Sequence, residues 1–397
     1  MNSSALANAA EPAGLGKAAV TAILYATSLA VVALNVAPAM ELQLRQEAEL
    51  SVGQIGAIYF FELAAMGLAT LPAYWWIARI DETRVAQWAY AVFIAGSLLS
   101  SWHVKSFVLL SIARAVTGAG AGSLMVLGMT AGARALDQNR IFALITLAQL
   151  ASGAILLALL PSVMSAGRGL RGMFWLSAGL GVLGMLTARP FTDAAHRGAP
   201  AARTRRTVSA TELAAIALAI AFAWVFNIVV GGLWAFAGEY GAGAGLQQER
   251  IAQVLTGGTV IGMAGAASAF IIGDRLSRRT LLLAGYLLIM LGAGILQLAP
   301  GDAGFAIGCC VLSFGWNFCV PYIFAAVASR DATGRSISSM NLAFAFGLAA
   351  GPLLAGAIIE SAGLEALAPC ALFGLALGTA LMLRFTRQPA VPRVALP

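Results

Sequence analysis

Residues 107–132 read FVLLSIARAVTGAGAGSLMVLGMTAG, an apolar run that holds a single charged side chain, Arg114. A bilayer core needs about 20 apolar residues for one helical crossing, so this run is long enough to span a membrane. Gly118, Gly120 and Gly122 lie close together inside it, and small residues let neighbouring helices approach closely in lipid. The stretch therefore predicts a membrane-spanning helix packed within a bundle.

Similar apolar runs recur along the whole chain of 397 residues, of which 60% are hydrophobic and 10% charged. A soluble domain carries about 25% charged residues. Twelve crossings need about 240 residues, which leaves only short loops. The chain is thus predicted to be an all-α integral membrane protein with twelve transmembrane helices, at 18–39, 52–77, 86–101, 107–132, 141–164, 171–189, 211–236, 251–273, 281–299, 303–328, 336–359 and 365–385.

The basic residues are distributed unevenly between the two sides of this predicted bundle. With the first residue in the cytoplasm, 18 of the 24 Lys and Arg residues fall in cytoplasmic segments and 5 in outer loops, and Arg114 is the remaining one. Such a bias follows the positive-inside rule. The net charge of +7 is therefore a topology signal, and no nucleic-acid partner is expected. We expect a multi-pass protein of a bacterial inner membrane with both termini in the cytoplasm.

The longest polar interruption, 190–210, divides the chain near its midpoint. It predicts an amino-terminal half at 1–189, a cytoplasmic linker at 190–210 and a carboxy-terminal half at 211–397, each half with six spans. Gly120 with Gly315, and Arg140 with Arg335, recur at the same offset, as in two pseudo-symmetric halves. Two related halves with a site near the midplane are a recognised transporter architecture.

Two motifs resemble the major facilitator superfamily (MFS). Residues 114–122, RAVTGAGAG, resemble the family's fourth-helix motif, and residues 274–279, DRLSRR, are similar to its cytoplasmic loop signature with Ser277 in place of Gly. The resemblance implies the MFS fold and secondary transport by alternating access. It also implies that a conformational loop motif, which helps to hold the outward-facing state, is formed by Asp274, Arg275, Arg278 and Arg279.

Two departures from the family pattern bear on direction and coupling. The predicted fifth span lacks the Gly-Pro element that family antiporters often carry there, which favours uptake over efflux. The predicted first span, 18–39, contains no Asp or Glu, so the acidic position that the family has there is expected to be absent.

Glu62 and Arg114 are the two charged residues that lie well inside predicted spans. Both are expected roughly 10–15 Å below the outer surface. A charge at a helix centre costs about 2.5–3.5 kcal/mol on insertion scales, so pairing is favoured. Two interpretations remain open: the pair only pins two helices, or Glu62 exchanges a proton while Arg114 meets an anionic substrate.

By the family resemblance, the first, fourth, seventh and tenth spans surround a central cavity. Aromatic walls with a few polar groups suit a small organic solute. Packing against lipid explains the aromatic residues equally well, and contacts between helices explain the Asn residues. The candidate lining residues are Tyr25, Asn35, Arg114, Trp224, Asn227, Trp234, Trp316, Asn317 and Tyr322.

Catalytic and metal-binding patterns are missing from the sequence. His103 and His196 both fall in predicted loops, and all four cysteines fall in predicted spans without metal-ligand spacing. We therefore expect no enzyme activity, no cofactor and no metal. The leading hypothesis is proton-coupled uptake of an organic acid or aromatic compound by a monomer in the lipid bilayer. The alternatives are proton-coupled efflux of a drug or metabolite, and a transport-like membrane sensor.

Overall fold

The computed structural model describes residues 16–76, 79–133, 135, 138–163, 169–188, 191, 210–273, 275–328 and 335–387. In these ranges the chain is a bundle of α-helices, which confirms the predicted all-α fold. The helices are α1 Lys17–Ala30, α2 Val32–Ala48, α3 Val52–Leu68, α4 Thr70–Trp76, α5 Glu82–Trp102, α6 Phe107–Gly132, α7 Gln138–Val163, α8 Gly169–Leu186, α9 Ala210–Ala235, α10 Ala237–Gly243, α11 Gln248–Ile272, α12 Arg278–Leu298, α13 Asp302–Ala328, α14 Arg335–Ala362 and α15 Leu367–Arg387, with a 3₁₀ turn at Leu364–Ala366.

Twelve spans follow from these helices, because α1 with α2, α3 with α4, and α9 with α10 each form one broken span. In the part of the chain that the structure describes, eleven helical stretches are long and apolar enough to cross a membrane. Helix α5 is the span that does not meet this criterion. Its first turn carries Glu82 and Arg84, and its last turn contains Ser100 and Ser101.

The first span is longer than the sequence predicted. It runs from Lys17 to Ala48 with a break at Val31, whereas the prediction ended at 39. The polar residues that ended the prediction belong to α2, and Glu41 and Gln43 are buried against protein. The prediction of an outer loop at Arg45 is wrong. The expectation that the first span lacks an acidic residue is wrong for the same reason.

The two ends of the bundle differ in which connections they carry. The end where α8 finishes and α9 begins is called the linker end, and the opposite end is called the distal end. Helix α3 starts at the distal end with a capping box, in which Ser51 and Gln54 satisfy each other's backbone N–H groups. At the linker end, Ser277 caps α12 by accepting a hydrogen bond from Thr280 N at 3.1 Å. Capping of α12 therefore explains why Ser277 stands where the family's loop signature has Gly.

The glycines of α6 let two neighbouring helices approach its backbone. A Cβ at Gly118 would collide with the carbonyl oxygen of Glu62 in α3, and one at Gly122 with that of Met66. On another face, a Cβ at Gly120 would lie 2.6 Å from Phe93 N in α5. Small residues thus place α6 directly against both α3 and α5.

The two halves also meet through small residues, with α3 packed on α14 and α7 packed on α11. A Cβ at Gly56 would collide with the Pro352 carbonyl oxygen, and one at Gly356 would lie 2.7 Å from Val52 O. Glycines thus bring the α3 and α14 backbones into direct contact, beside a small side-chain cluster of Leu63, Ala64 and Ala349.

The α3–α6 contact gives a stability prediction. We expect Gly118→Ala to lower the free energy of unfolding by about 1–3 kcal/mol, because the added methyl group overpacks a backbone contact. Gly179→Ala is the matched control, since nothing lies within 4 Å of a Cβ at that position. It should leave the melting temperature unchanged or slightly raised. Equal melting temperatures for the two variants in detergent would contradict this packing.

Candidate functional site: a buried ion pair and an aromatic interface

Glu62 on α3 and Arg114 on α6 form a buried two-point ion pair. The Arg114 Nε donates to Glu62 Oε2 at 2.9 Å, and the Arg114 Nη2 donates to Glu62 Oε1. Glu62 is 3% exposed and Arg114 4%. The planar guanidinium matches a carboxylate at two points, which is the strongest arrangement available to such a pair. The glycines at Gly118 and Gly122 hold the two helices close enough for it to form.

A small cavity of about 30 Å³ borders this ion pair. Its walls are mostly apolar and come from the amino-terminal half, including Met40, Phe93 and Phe174. The Phe174 ring centroid lies 5.4 Å from Arg114 Cζ, within cation–π range. A volume of this size holds about one water molecule and no organic solute. In this conformation Arg114 therefore binds Glu62, and the cavity beside the pair is too small for an organic solute.

Trp234 and Trp316 meet where the two halves face each other. Their ring centroids are 6.2 Å apart with the planes at 63°, an edge-to-face contact. The Trp234 Nε1 donates to Leu34 O of the first span at 2.9 Å. Both indoles belong to the carboxy-terminal half, and the Trp234 bond to Leu34 O joins this pair to the amino-terminal half.

Two other predicted lining residues, Tyr25 and Asn35, bond within the amino-terminal half. The Tyr25 hydroxyl donates to Leu180 O at 2.7 Å, and Asn35 Nδ2 donates to Gln149 O at 2.9 Å. Both bonds tie the first span to another span of its own half. Contacts between helices are thus the observed role of these two polar groups.

In the carboxy-terminal half, Asn227 and Asn317 donate to carbonyl groups of their own helices, at 2.7 Å to Ala223 O and 2.9 Å to Ser313 O. The hydroxyl of Tyr322 donates to Ala269 O at 3.0 Å, joining α13 to α11. Trp224 is 43% exposed and packs at Gly347. The structure thus uses Tyr322 to join helices and leaves Trp224 at the surface.

The structure describes three of the four residues of the predicted loop motif. The Arg278 Nη1 donates to Ala325 O at 3.2 Å, which joins the start of α12 to the end of α13. Arg275 and Arg279 are exposed, and Asp274 lies outside the described residues.

Sequence reasoning missed a second group of charges, on α2 and α10 near the distal end. The Arg45 Nη1 donates to Glu239 Oε1 at 2.5 Å across the two halves. Glu41 is fully buried beside Glu239. The run 39–44, AMELQL, consists mostly of strong helix formers, which is the sequence signal that the first span continues past residue 39.

Metal-binding and disulfide chemistry find no support in the described residues. No three His, Cys, Asp or Glu residues lie close enough there to hold a metal ion. Cys309 and Cys319 are buried free thiols, Cys310 is partly buried and Cys370 is exposed.

Comparisons with known proteins identify the fold. The profile of the Major Facilitator Superfamily matches residues 18–331. The nucleoside transporter NupG superposes with a TM-score of 0.67 at 10% identity, covering 94% of this chain and 98% of that one. The human organic anion transporter MFSD10 (TETRAN) superposes with a TM-score of 0.64 at 13% identity, covering 92% and 99%. No curated protein matches the sequence.

The buried pair gives a second stability prediction. Glu62→Gln should lower the free energy of unfolding by about 3–5 kcal/mol, because it leaves the Arg114 guanidinium buried without a counter-charge. Arg114→Gln should cost a similar amount, and the double variant should lose less than the two single losses added together. Chemical denaturation in detergent measures all three.

The control is Asp302→Asn, which breaks an exposed pair with Arg250 whose Nε–Oδ1 distance is 2.8 Å. Screened surface pairs contribute little, so no change should be resolved. Additive losses at Glu62 and Arg114 would show that the two side chains do not interact in the folded protein.

Proposed function

The chain belongs to the Major Facilitator Superfamily, and on this premise we propose that it takes up a small organic solute together with protons. The family consists of secondary transporters in which two halves rock about a site between them. The close, small-residue contacts of α3 with α14 support rocking between an amino-terminal and a carboxy-terminal half.

Contacts at the distal end support one particular state of this cycle. At that end Arg45 pairs with Glu239, and Gln248 Nε2 donates to Gln46 Oε1 at 2.9 Å. Nearer the middle of the first span, Trp234 bonds to Leu34 O. Each contact joins one half to the other, so all three must break for the distal end to open. We assign the structure to a state that is closed at this end.

The orientation follows from the charge distribution. The positive-inside rule places the linker end, with its Arg residues, in the cytoplasm. The distal end then faces outward, and the structure corresponds to a carrier closed to the outside.

The indole pair carries the proposed substrate class. Trp234 and Trp316 supply two aromatic rings, and Trp234 bonds to Leu34 O of the other half. Leu34 packs with Phe60 and Phe346 against the apolar cluster between α3 and α14. Aromatic rings bind flat organic solutes with little loss of conformational freedom. The structural neighbours are a nucleoside transporter and an organic anion transporter, which supports a small aromatic compound or organic acid as the solute here.

The buried ion pair is the proposed coupling site. A proton on the Glu62 carboxylate removes the charge that holds Arg114, and the guanidinium becomes available to an anionic solute. Loss of the proton restores the pair and competes with the solute. Proton and solute binding are thereby linked through a single residue, Arg114.

The test is a thermal-shift screen of purified protein against aromatic acids, nucleosides and lipophilic cations. A specific ligand at 100 times its Kd stabilises the protein by about 2.7 kcal/mol. We expect an aromatic acid or nucleoside to stabilise the wild type, and Trp316→Ala to abolish the shift. Trp88→Ala is the matched control, because Trp88 is 73% exposed and should leave the shift intact. Stabilisation by lipophilic cations alone would instead favour efflux.

The orientation has its own test, in cells that carry a Cys370→Ala background. We expect Glu49→Cys, at the exposed distal end, to react with a membrane-impermeant maleimide in intact cells. Leu276→Cys, 53% exposed at the linker end, should react only after permeabilisation. The reverse pattern would contradict the proposed orientation.

A further inference from the structure

A buried carboxyl group stands out at the distal end, away from the Glu62–Arg114 pair. Glu41 on α2 is 0% exposed, and neither of its carboxyl oxygens accepts a hydrogen bond from any described residue. An ionised carboxylate in such a place costs several kcal/mol after relaxation, far more than a neutral carboxyl group. Glu41 is therefore a buried carboxyl group without a polar partner of its own among the described residues.

The charged groups next to Glu41 are Glu239 and Arg45. Glu239 on α10 lies beside Glu41, and its own charge is already balanced by Arg45. Two carboxylates that share one guanidinium carry an excess negative charge, and a proton on one of them removes it. Arg45 is 42% exposed at its side chain and Glu239 11%, so Glu41 is the most deeply buried member of the three.

No other described charge faces Glu41 from the helices packed on α2. On α3, the Tyr59 hydroxyl donates to Ala37 O, and Glu62 is already bonded to Arg114. The remaining charged side chains on α1, α7, α8 and α11 either lie at the linker end or are exposed at the distal rim: Lys17, Arg140, Arg171, Glu249 and Arg250. Helix α9 carries its single charged residue, Glu212, in its first turn at the linker end.

The three charged residues come from both halves, so protonation of the cluster depends on whether the distal end is closed. Glu41 and Arg45 belong to the first half and Glu239 to the second, so the cluster exists only while the distal end is closed. Opening that end separates α2 from α10 and exposes the Glu41 carboxyl group to water. The ionised carboxylate of Glu41 is then no longer destabilised by burial.

We propose that Glu41, with Glu239 and Arg45, is a proton-binding site that closes the distal end of the transporter. The site takes up one proton from the distal solution as the two halves meet and returns it when they separate. This inference rests on the proposed alternating access and adds to it a second proton site, distinct from Glu62. Because the closed state binds one proton more than the open state, rising pH must favour opening.

The test measures the distal gate directly, without any solute. Spin labels are placed at Lys105→Cys and Gln247→Cys, two exposed distal positions in opposite halves, with Cys310 and Cys370 replaced by Ala. Electron double-resonance distances are then recorded in lipid nanodiscs across the pH range. In the wild type the ratio of short to long distances should fall by up to about tenfold per pH unit through the transition.

Two variants decide the outcome. Glu41→Gln removes the titrating group, so the short distance should persist at all pH values. Glu239→Gln frees Arg45 to neutralise an ionised Glu41, so the closed state should persist to higher pH. The control is Glu49→Gln, which removes an exposed carboxylate directly after α2 at the same end of the bundle. It should keep the wild-type response.

A pH response that survives in Glu41→Gln would overturn the proposal, as would an unshifted response in Glu239→Gln or a wild type with no pH response. The readout needs no substrate, so it fails or succeeds independently of the transport assay. Loss of solute transport with an intact, Glu41-dependent gate would overturn the proposed uptake alone.

Discussion

The ion pair between Glu62 and Arg114 is the interaction on which the amino-terminal half depends. Neither charge is tolerable alone in an apolar bundle, and the two-point geometry satisfies both at once. The pair forms only because Gly118 and Gly122 bring the α6 backbone against α3. The bonds from Tyr25 and Asn35 attach the first span to the same unit. These contacts join six helices of this half to one another, α1 with α8, α2 with α7, and α3 with α6.

Contacts between the halves are of a different kind. The α3–α14 surface combines backbone contacts at Gly56 and Gly356 with a small apolar cluster around Leu63 and Ala349. The polar contacts at the distal end are single bonds, such as Trp234 to Leu34 O, or a partly exposed pair, such as Arg45 with Glu239. Such contacts stabilise one arrangement by a small amount, so a ligand that binds the two arrangements with different affinities shifts the balance between them.

Hydropathy alone predicted the helical spans, because a lipid-facing helix must be apolar along its length. It also placed Glu62 and Arg114 at the same depth on helices of one half, and the structure joins them. It failed at the end of the first span, where Glu41 and Gln43 face protein and are buried. A hydropathy profile treats every polar residue as exposed to water, so it did not identify Glu41 as an acid buried against protein.

The candidate cavity residues remain predictions, and the structure places their side chains in different surroundings. The helix assignments identified Trp234 and Trp316, which meet at the interface. Tyr25, Asn35 and Tyr322 lie on the expected spans, but their polar atoms bond to neighbouring helices. The rotation of a helix about its axis decides which of these roles a side chain takes, and a sequence of uniform hydropathy contains little information on that rotation.

The most direct test of the account is proton movement driven by the solute. Purified protein is reconstituted into liposomes that contain a pH-sensitive dye, and the ligand identified by thermal shift is added outside without a pH gradient. The account predicts that the liposome interior acidifies as the solute enters, and that Glu62→Gln abolishes the acidification. Entry of the solute with no change in internal pH would contradict proton-coupled uptake.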